Sequence, residues 1–223
     1  MSENKVVALI PARFGSKGLP NKNLLEIAGK SITELAVIQG EHVADIVILS
    51  TDIPYFIDGK KFEKAMVHKR NEALASDRAN MDDVILDVIE AYGLKDCTMI
   101  LLQPTSPLRT ISNIEECIEK FNMDDCELLM SVTETTDNGF KFGVIDNGRF
   151  KAIRSQSDLF KNRQELPSTY KHNGAVYVFN TDRVLKASTI ASDNIKCVEM
   201  SVRESIDIDS FDDYELAKEL YET

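Results

Sequence analysis

The sequence predicts a single α/β domain with a mostly parallel sheet flanked by helices, and three observations carry that expectation. Short β-branched apolar runs alternate with amphipathic helical segments from the N-terminus to Val132, the rhythm of right-handed βαβ units. The runs are continuously apolar, as in strands covered on both faces, and do not alternate as in a sheet with one wet face. A chain of 223 residues, 43% of them hydrophobic, is long enough to bury one sizeable core.

The elements follow in order. "KVVALI" (5–10) is an apolar run ended by turn residues, hence a first buried strand. "SITELAVIQGEH" starts with Ser31 and Glu34 in capping-box spacing and places Ile32, Leu35, Ala36 and Ile38 on one helical face. "ADIVILSTD" is the next strand, and Pro54 and Gly59 behind it allow only a short or distorted helix. "MDDVILDVIEAY" reads as a helix and "CTMILLQ" as a strand. "SNIEECIEKF" is a helix with Ser112 and Glu115 as its capping pair, and "CELLMSV" is a further strand.

Beyond Val132 the rhythm breaks. "KFGVIDNGRFKAI" is two alternating runs about Asn147–Gly148, a strong hairpin signal. "SQSDLFKNRQELPSTYKH" is a long polar excursion, of a length that in compact domains is functional or interfacial. "GAVYVFN" returns to strand, and "SFDDYELAKEL" closes the chain as a capped helix. The chain is expected to form one domain over 1–223 with an excursion at about 137–172.

Composition narrows the function. The net charge of −11 opposes a nucleic-acid binder, which needs a basic face to displace counterions. Residues 1–30 nevertheless hold five cations against two acids, a basic island in an acidic chain. No run reaches the roughly 18 apolar residues of a membrane helix, and no signal peptide is evident, so the expected setting is soluble and cytoplasmic. Cys97, Cys117, Cys126 and Cys197 lack C-x-x-C spacing and are expected to be reduced packing residues.

Four stretches carry chemistry. "PARFGSKGLPNKN" (11–23) follows the first strand, where ligands of α/β sheets bind. Gly15 and Gly18 allow an anion nest of amides, and Arg13, Lys17 and Lys22 supply charge, which together suit a polyphosphate. The stretch is neither a Walker A loop nor a dinucleotide fingerprint. Its competing account is an ordinary Gly/Pro loop with solvated lysines. "ESIDID" places Asp207 and Asp209 at i and i+2, on one side of an extended chain, suiting Mg²⁺ delivered with phosphates; a solvated turn or helix cap is the alternative. "LLQPTSPLRT" (101–110) could present the Gln103 amide to a small molecule, or merely set up the next helix. "NRQELPSTYKHNG" (162–174) offers Arg163, a fork for a carboxylate, with Tyr170 and Asn173 nearby, or else a surface loop with a rim ion pair.

In order and spacing, "IPARFGSKGLPNKN", "STD", "LASD", "LLQPTSPLRT", "RQELP" with "NGAVYVF", and "SIDID" resemble the acylneuraminate cytidylyltransferases over about residues 6–218. The "RQELP" and "NGA" pair resembles the sialic and legionaminic acid branch. The resemblance implies a Rossmann-like nucleotidyltransferase fold, CTP and a nonulosonic acid as substrates, Mg²⁺ as cofactor, and a homodimer whose hairpin excursion reaches the partner's site. Position by position it implies Arg13, Ser16, Lys17, Lys22 and Asn23 for the CTP loop and Arg70 and Asn80 for the nucleotide. It further implies Gln103, Lys141, Arg163, Tyr170 and Asn173 for the sugar, and Asp207 and Asp209 for the metal. Lys22, Arg13 and Asp209 would be the catalytic set. This chain departs from the family at Arg70–Asn71 and at "RANMDD", where relatives carry R-P and small serines. The alternatives are the same chemistry on legionaminic acid, another nonulosonic acid or another nucleotide, and a catalytically silent nucleotide-binding protein.

Overall fold

The structure is a computed structural model that describes residues 5–15, 18–60, 62–76 and 79–222. In chain order the main elements are β1 (Val6–Ala12), β2 (Glu26–Ile27), β3 (Lys30–Ser31), α1 (Ile32–Val43), β4 (Ile46–Thr51), β5 (Met66–Lys69), α2 (Glu72–Ala75) and α3 (Met81–Tyr92). There follow β6 (Thr98–Leu101), α4 (Ile111–Met123), β7 (Leu128–Thr135), β8 (Gly143–Asp146), β9 (Arg149–Ala152), β10 (Thr169–Asn180), α5 (Thr181–Ala187), β11 (Ile195–Glu199) and α6 (Phe211–Tyr221).

Seven strands form one sheet in the order β11-β7-β10-β6-β1-β4-β5. The β1 pairs with β4 and β6, β4 with β5, and β7 with β11 are parallel; β10 alone runs against its neighbours β6 and β7. The sheet is therefore mostly parallel, as expected, with one reversed strand inside it.

The continuous apolar runs are explained by burial on both faces. Ala8, Ile10 and Ala12 of β1 pack with Ala36 and Val37 of α1 and Ile114 and Cys117 of α4. Val7 and Leu9 pack on the opposite face with Ile85, Val88 and Ile89 of α3 and Val184 of α5. Leu9 is fully buried, so truncating it to alanine would cost about 2–5 kcal/mol. A smaller cluster joins Ile27, Ile32 and Leu35 to Leu108, Ile208 and Ala217. That cluster seats α6, and the extended segment before it, beside the loop that follows β1.

Local signals hold in most places. Ser31 and Glu34 form the capping box of α1, Asn147 and Gly148 take positive φ (50° and 73°) between β8 and β9, and the chain after β4 makes one π turn at Tyr55–Gly59. Other expectations need correction. Helix α4 is capped by Thr110 and Asn113, two residues before the Ser112–Glu115 pair: the Thr110 hydroxyl accepts the Asn113 amide and the Asn113 side chain accepts the Thr110 amide, the same reciprocal pattern made by a different pair. Residues 169–172 are strand, since their ladder with β7 overrides a polar composition. β5, α5 and β11 escaped the sequence reading; "MVHK" and "IKCVE" are short and lie at the two edges of the sheet. Cys97 and Cys117 are buried, and burial pushes the Cys117 thiol up to about 12, but Cys197 is exposed. No helix among the described residues is long and apolar enough to cross a membrane.

Candidate active site

The carboxyl ends of four neighbouring parallel strands deliver the polar residues of one face: Arg13 just past β1, Asp52 past β4, Arg70 past β5 and Gln103 past β6. Asp52 Oδ1 accepts the Phe14 amide at 2.6 Å and fixes where the loop leaves the sheet. Asn23 Nδ2 donates to the Arg13 carbonyl at 2.9 Å, and the Asn23 carbonyl accepts the Thr33 hydroxyl at 2.7 Å, so Asn23 ties the far end of that loop to both β1 and α1. Arg70 is buried, with Nε donating to Ser50 Oγ at 3.2 Å and Nη2 to the Ser50 carbonyl at 3.1 Å. Desolvation lowers its pKa to about 10, Asp52 works against that shift, and the nearby Arg13 adds to it. Two guanidinium groups thus face one region, an arrangement suited to a multiply charged anion.

Lys22 opens a short 3₁₀ turn and places its Nζ 2.8 Å from Asp209 Oδ1, 187 positions along the chain. Gly18 shows how tightly loop and segment pack, since a Cβ there would lie 3.1 Å from the Asp209 carbonyl oxygen. Asp207 and Asp209 flank the buried Ile208, whose amide donates to the Thr105 carbonyl at 2.8 Å. Anchoring the central residue leaves both carboxylates on the other side, as i, i+2 spacing requires. Desolvation pushes the Asp207 carboxyl above its ordinary range; a Thr105 hydrogen bond and Lys22 pull it down, while Asp209 pushes it further up. Two mutually repelling carboxylates, one partly desolvated, form a donor set that a hard divalent cation would relieve. Among the described residues no group of three histidine, cysteine, aspartate or glutamate side chains converges to hold an ion, so other oxygens would have to complete its shell.

Beside the carboxylates lies a cavity of about 580 Å³, lined among others by Gln103, Lys171, His172, Gly174, Tyr177 and Asp207. A bulge shapes it: the β10–β7 register shifts between His172 and Tyr177. Ser131 Oγ donates to Asn173 Oδ1 at 2.6 Å and accepts the Val176 amide at 2.9 Å, replacing lost ladder bonds. Gly174 takes φ +74°, and a Cβ there would meet Gln103 Oε1 at 3.2 Å, so glycine is needed for conformation and for clearance. Tyr177 Oη lies 3.2 Å from His172 Nδ1.

The structure therefore brings Arg13, Lys22, Asn23, Arg70, Asp207 and Asp209 to one edge, with Gln103 in the adjoining cavity. Ser16 and Lys17 lie outside the described residues. Asn173 lines the cavity, but its amide is spent on Ser131, Ala175, Met200 and Ser205. It is a bulge-former whose polar valences are used within the protein. Asn80 caps α3 by accepting the Asp82 amide. Tyr170 is on β10 beside Glu199, which pushes its hydroxyl pKa up, and it does not line the cavity. Lys141 and Arg163 sit on 3₁₀ turns of the excursion and do not line this chain's cavity either. Asp52, Thr105 and Arg109 stand within the stretches "STD" and "LLQPTSPLRT" but carry no role of their own in the sequence analysis; Asp52 directly follows β4, whereas Thr105 and Arg109 lie in the connection from β6 to α4.

An N-acylneuraminate cytidylyltransferase of Streptococcus agalactiae is 28% identical over 214 residues, covering 94% of this chain and 52% of that protein. The chain thus spans about half that relative's length. A CMP-N,N'-diacetyllegionaminic acid synthase of Legionella pneumophila is 28% identical over 226 residues, covering 98% of this chain and 97% of that protein. Among solved structures, a CMP:2-keto-3-deoxy-manno-octonic acid synthetase complexed with CTP aligns with a TM-score of 0.70 at 22% identity, covering 98% of this chain and 99% of the other. The sequence profile of the Cytidylyltransferase family matches residues 7–223, and the chain belongs to that family.

Proposed function

We propose that this protein transfers the cytidylyl group of CTP to the anomeric C2 hydroxyl of a nonulosonic acid, N-acetylneuraminic acid or a similar acid. The products are the CMP-sugar and pyrophosphate. The observation that carries the reading is the meeting of the basic loop with the paired carboxylates, Lys22 Nζ on Asp209 Oδ1 at 2.8 Å, beside a cavity large enough for a sugar acid.

The sugar oxygen attacks the α-phosphorus, the bond to the β-phosphate oxygen breaks, and the hydroxyl proton is lost. Charge then grows on the departing pyrophosphate, so cations fixed near it lower the barrier. Arg13 and Lys22 fill that role, with Ser16 and Lys17 completing the loop. Lys22 Nζ lies on Asp209 Oδ1, and its ammonium would serve the phosphates of bound CTP from that position. Asp207 and Asp209 would then hold Mg²⁺ together with phosphate oxygens, and the ion would supply charge neutralisation and in-line orientation. Arg70 and Asn80 serve the nucleotide, and Gln103 orients the sugar.

The reading includes a homodimer. Apolar side chains of the excursion are exposed, Ile145 by 79% and Phe160 by 88%, together with Val144 and Ile153, and an apolar patch of this kind suits a partner surface. Lys141 and Arg163, absent from their own chain's cavity, would serve the partner's sugar carboxylate, with Tyr170 beside them at the interface. A CTP-dependent reaction belongs in the cytoplasm, where that nucleotide is made.

A second reading, the same chemistry on a diacetylated legionaminic acid, is favoured by the near full-length match to the Legionella synthase. Incubating the protein with CTP, Mg²⁺ and each acid, and measuring pyrophosphate release, tests both. Release with N-acetylneuraminic acid supports the first and release with the legionaminic acid alone the second. CTP binding without release in either case would point to a silent nucleotide binder.

A further inference from the structure

Arg109 closes the "QPTSPLR" stretch and is among the largest fully buried side chains, only 2% exposed. Among the described residues it has no carboxylate partner. Its Nη1 donates to the Gln103 carbonyl at 2.5 Å and to the Ala175 carbonyl at 3.2 Å, while Nε and Nη2 are buried without a hydrogen-bond partner. Its own carbonyl is held by Gln39 Nε2 at 2.7 Å. A buried guanidinium without a counter-ion is destabilising, because its hydration is exchanged for two neutral acceptors. An apolar side chain of similar volume would serve the core better. Retaining such a group is expected where it does work that the core does not need.

The two carbonyls show what that work is. Gln103 carries the amide on one wall of the cavity; Ala175 follows Gly174, which forms the wall facing it. The same loop carries Thr105, whose side chain bonds Asp207 and whose carbonyl accepts the Ile208 amide. One guanidinium therefore ties together the strand bulge, the Gln103 loop and, through Thr105, the carboxylate pair. We infer that Arg109 is a positioning residue for the acid substrate: it sets the separation of Gln103 from the Gly174 wall and places a fixed positive charge behind a cavity that receives an anion.

This inference rests on the proposed function. Its test is steady-state kinetics on Arg109→Met and Arg109→Lys beside the parent, with the acid and CTP varied separately. In Arg109→Met the acid KM rises about tenfold or more, as for a lost charge-assisted contact, and the CTP KM stays within about twofold. In Arg109→Lys the charge survives but the fork does not, so the acid KM falls between the two. A purely structural role would lower kcat through loss of folded enzyme and leave both KM values alone. That outcome, or an equal rise in both, overturns the inference. If Arg109→Met does not fold, Arg109→Lys decides: an acid KM within twofold of the parent overturns it, and a selective rise supports it. A parent enzyme that releases pyrophosphate with no acid sinks the functional reading; an active parent with unaltered variants sinks the positioning role alone.

Discussion

The basic loop and the excursion differ in where their polar and apolar groups find partners. Around the loop, the partners belong to the same chain: Lys22 meets Asp209, Asn23 holds the Arg13 carbonyl, Asp52 holds the Phe14 amide, and Arg70 is fixed on Ser50. The excursion is ordered internally, with buried Asp158 accepting Lys161 at 2.7 Å and lying 3.7 Å from Arg154, which in turn covers the Phe140 ring. Several apolar side chains on it are nonetheless exposed, among them Ile145, Ile153 and Phe160, and its cations Lys141 and Arg163 line no part of the neighbouring cavity. The described residues of the loop find their partners within the chain, whereas the excursion leaves apolar side chains exposed, the feature on which the proposed dimer contact rests.

The strongest way to break the loop region is to remove charge from the carboxylate pair. The capping acid of α6 is Asp213, which accepts from Ser210, whereas Asp209 has no helix-capping duty. Asp209→Asn should thus abolish turnover at physiological Mg²⁺ and leave the melting temperature unchanged. Near-parental turnover with a lowered melting temperature would remove Asp209 from the proposed Mg²⁺ site. Next in size is Lys22→Ala, which on the proposed mechanism deletes one cation from the phosphates at the transition state and should lower turnover by about 10²–10³. A loss under threefold, measured by pyrophosphate release, would exclude Lys22 from the chemistry.

The excursion is tested by making its face polar. On the proposed homodimer, Ile145→Lys combined with Phe160→Lys should shift the protein from dimer to monomer by light scattering and lower turnover by about tenfold to a hundredfold, the worth of one or two charge-assisted hydrogen bonds; a parent that is already monomeric would remove the dimer from the proposal. A fully active monomer would make the excursion irrelevant to catalysis. Complementation sharpens the contrast further: Arg163→Ala mixed with Lys22→Ala should regain activity in mixed dimers, where one site has both an intact loop and an intact partner arginine. Absence of recovery in verified mixed dimers would place Arg163 on its own chain's site.

The same contrast explains what could be read in the sequence. Strands β1, β4, β6 and β7 were legible because two-sided burial writes itself as a continuous apolar run, and α3 because its helical period is uninterrupted. The basic loop and the i, i+2 aspartates were legible as local patterns, but their 2.8 Å meeting was not, since a contact 187 positions apart leaves no local trace. Asn173 could be taken for a ligand contact because an asparagine that plugs a bulge and one that faces a substrate look identical in sequence. Arg109 was missed for a related reason: burial of a charged residue is a tertiary fact, and composition rules place arginine outside.

The smallest effect belongs to the capping box that supports the loop region from behind. Glu34 accepts the Ser31 amide at 2.9 Å and the Ser31 hydroxyl at 2.8 Å, and meets Lys60 Nζ at 2.8 Å. Partial burial raises its pKa, but the hydrogen bonds from Lys60 and Ser31 outweigh that, so it lies below its ordinary value of 4.5. A carboxylate with a depressed folded-state pKa contributes stability that is present above its unfolded value and lost as pH falls through the folded value. Glu34→Gln keeps a hydrogen-bonding side chain at this position while removing the charge, so near pH 7 it should lower the melting temperature by only about 1–3 °C, as befits a cap contact worth less than about 1 kcal/mol in a chain of this size. Parent and variant curves should converge only as pH falls through the depressed folded-state value of Glu34, below which the parent carboxylate is itself protonated. A difference that stays constant from pH 7 to pH 3 would show that lost packing, and not lost charge, separates them. Since α1 also carries Thr33, which holds Asn23 and through it the loop, convergence in stability with an undiminished loss of CTP affinity would reveal that the cap positions the phosphate site as well as the helix.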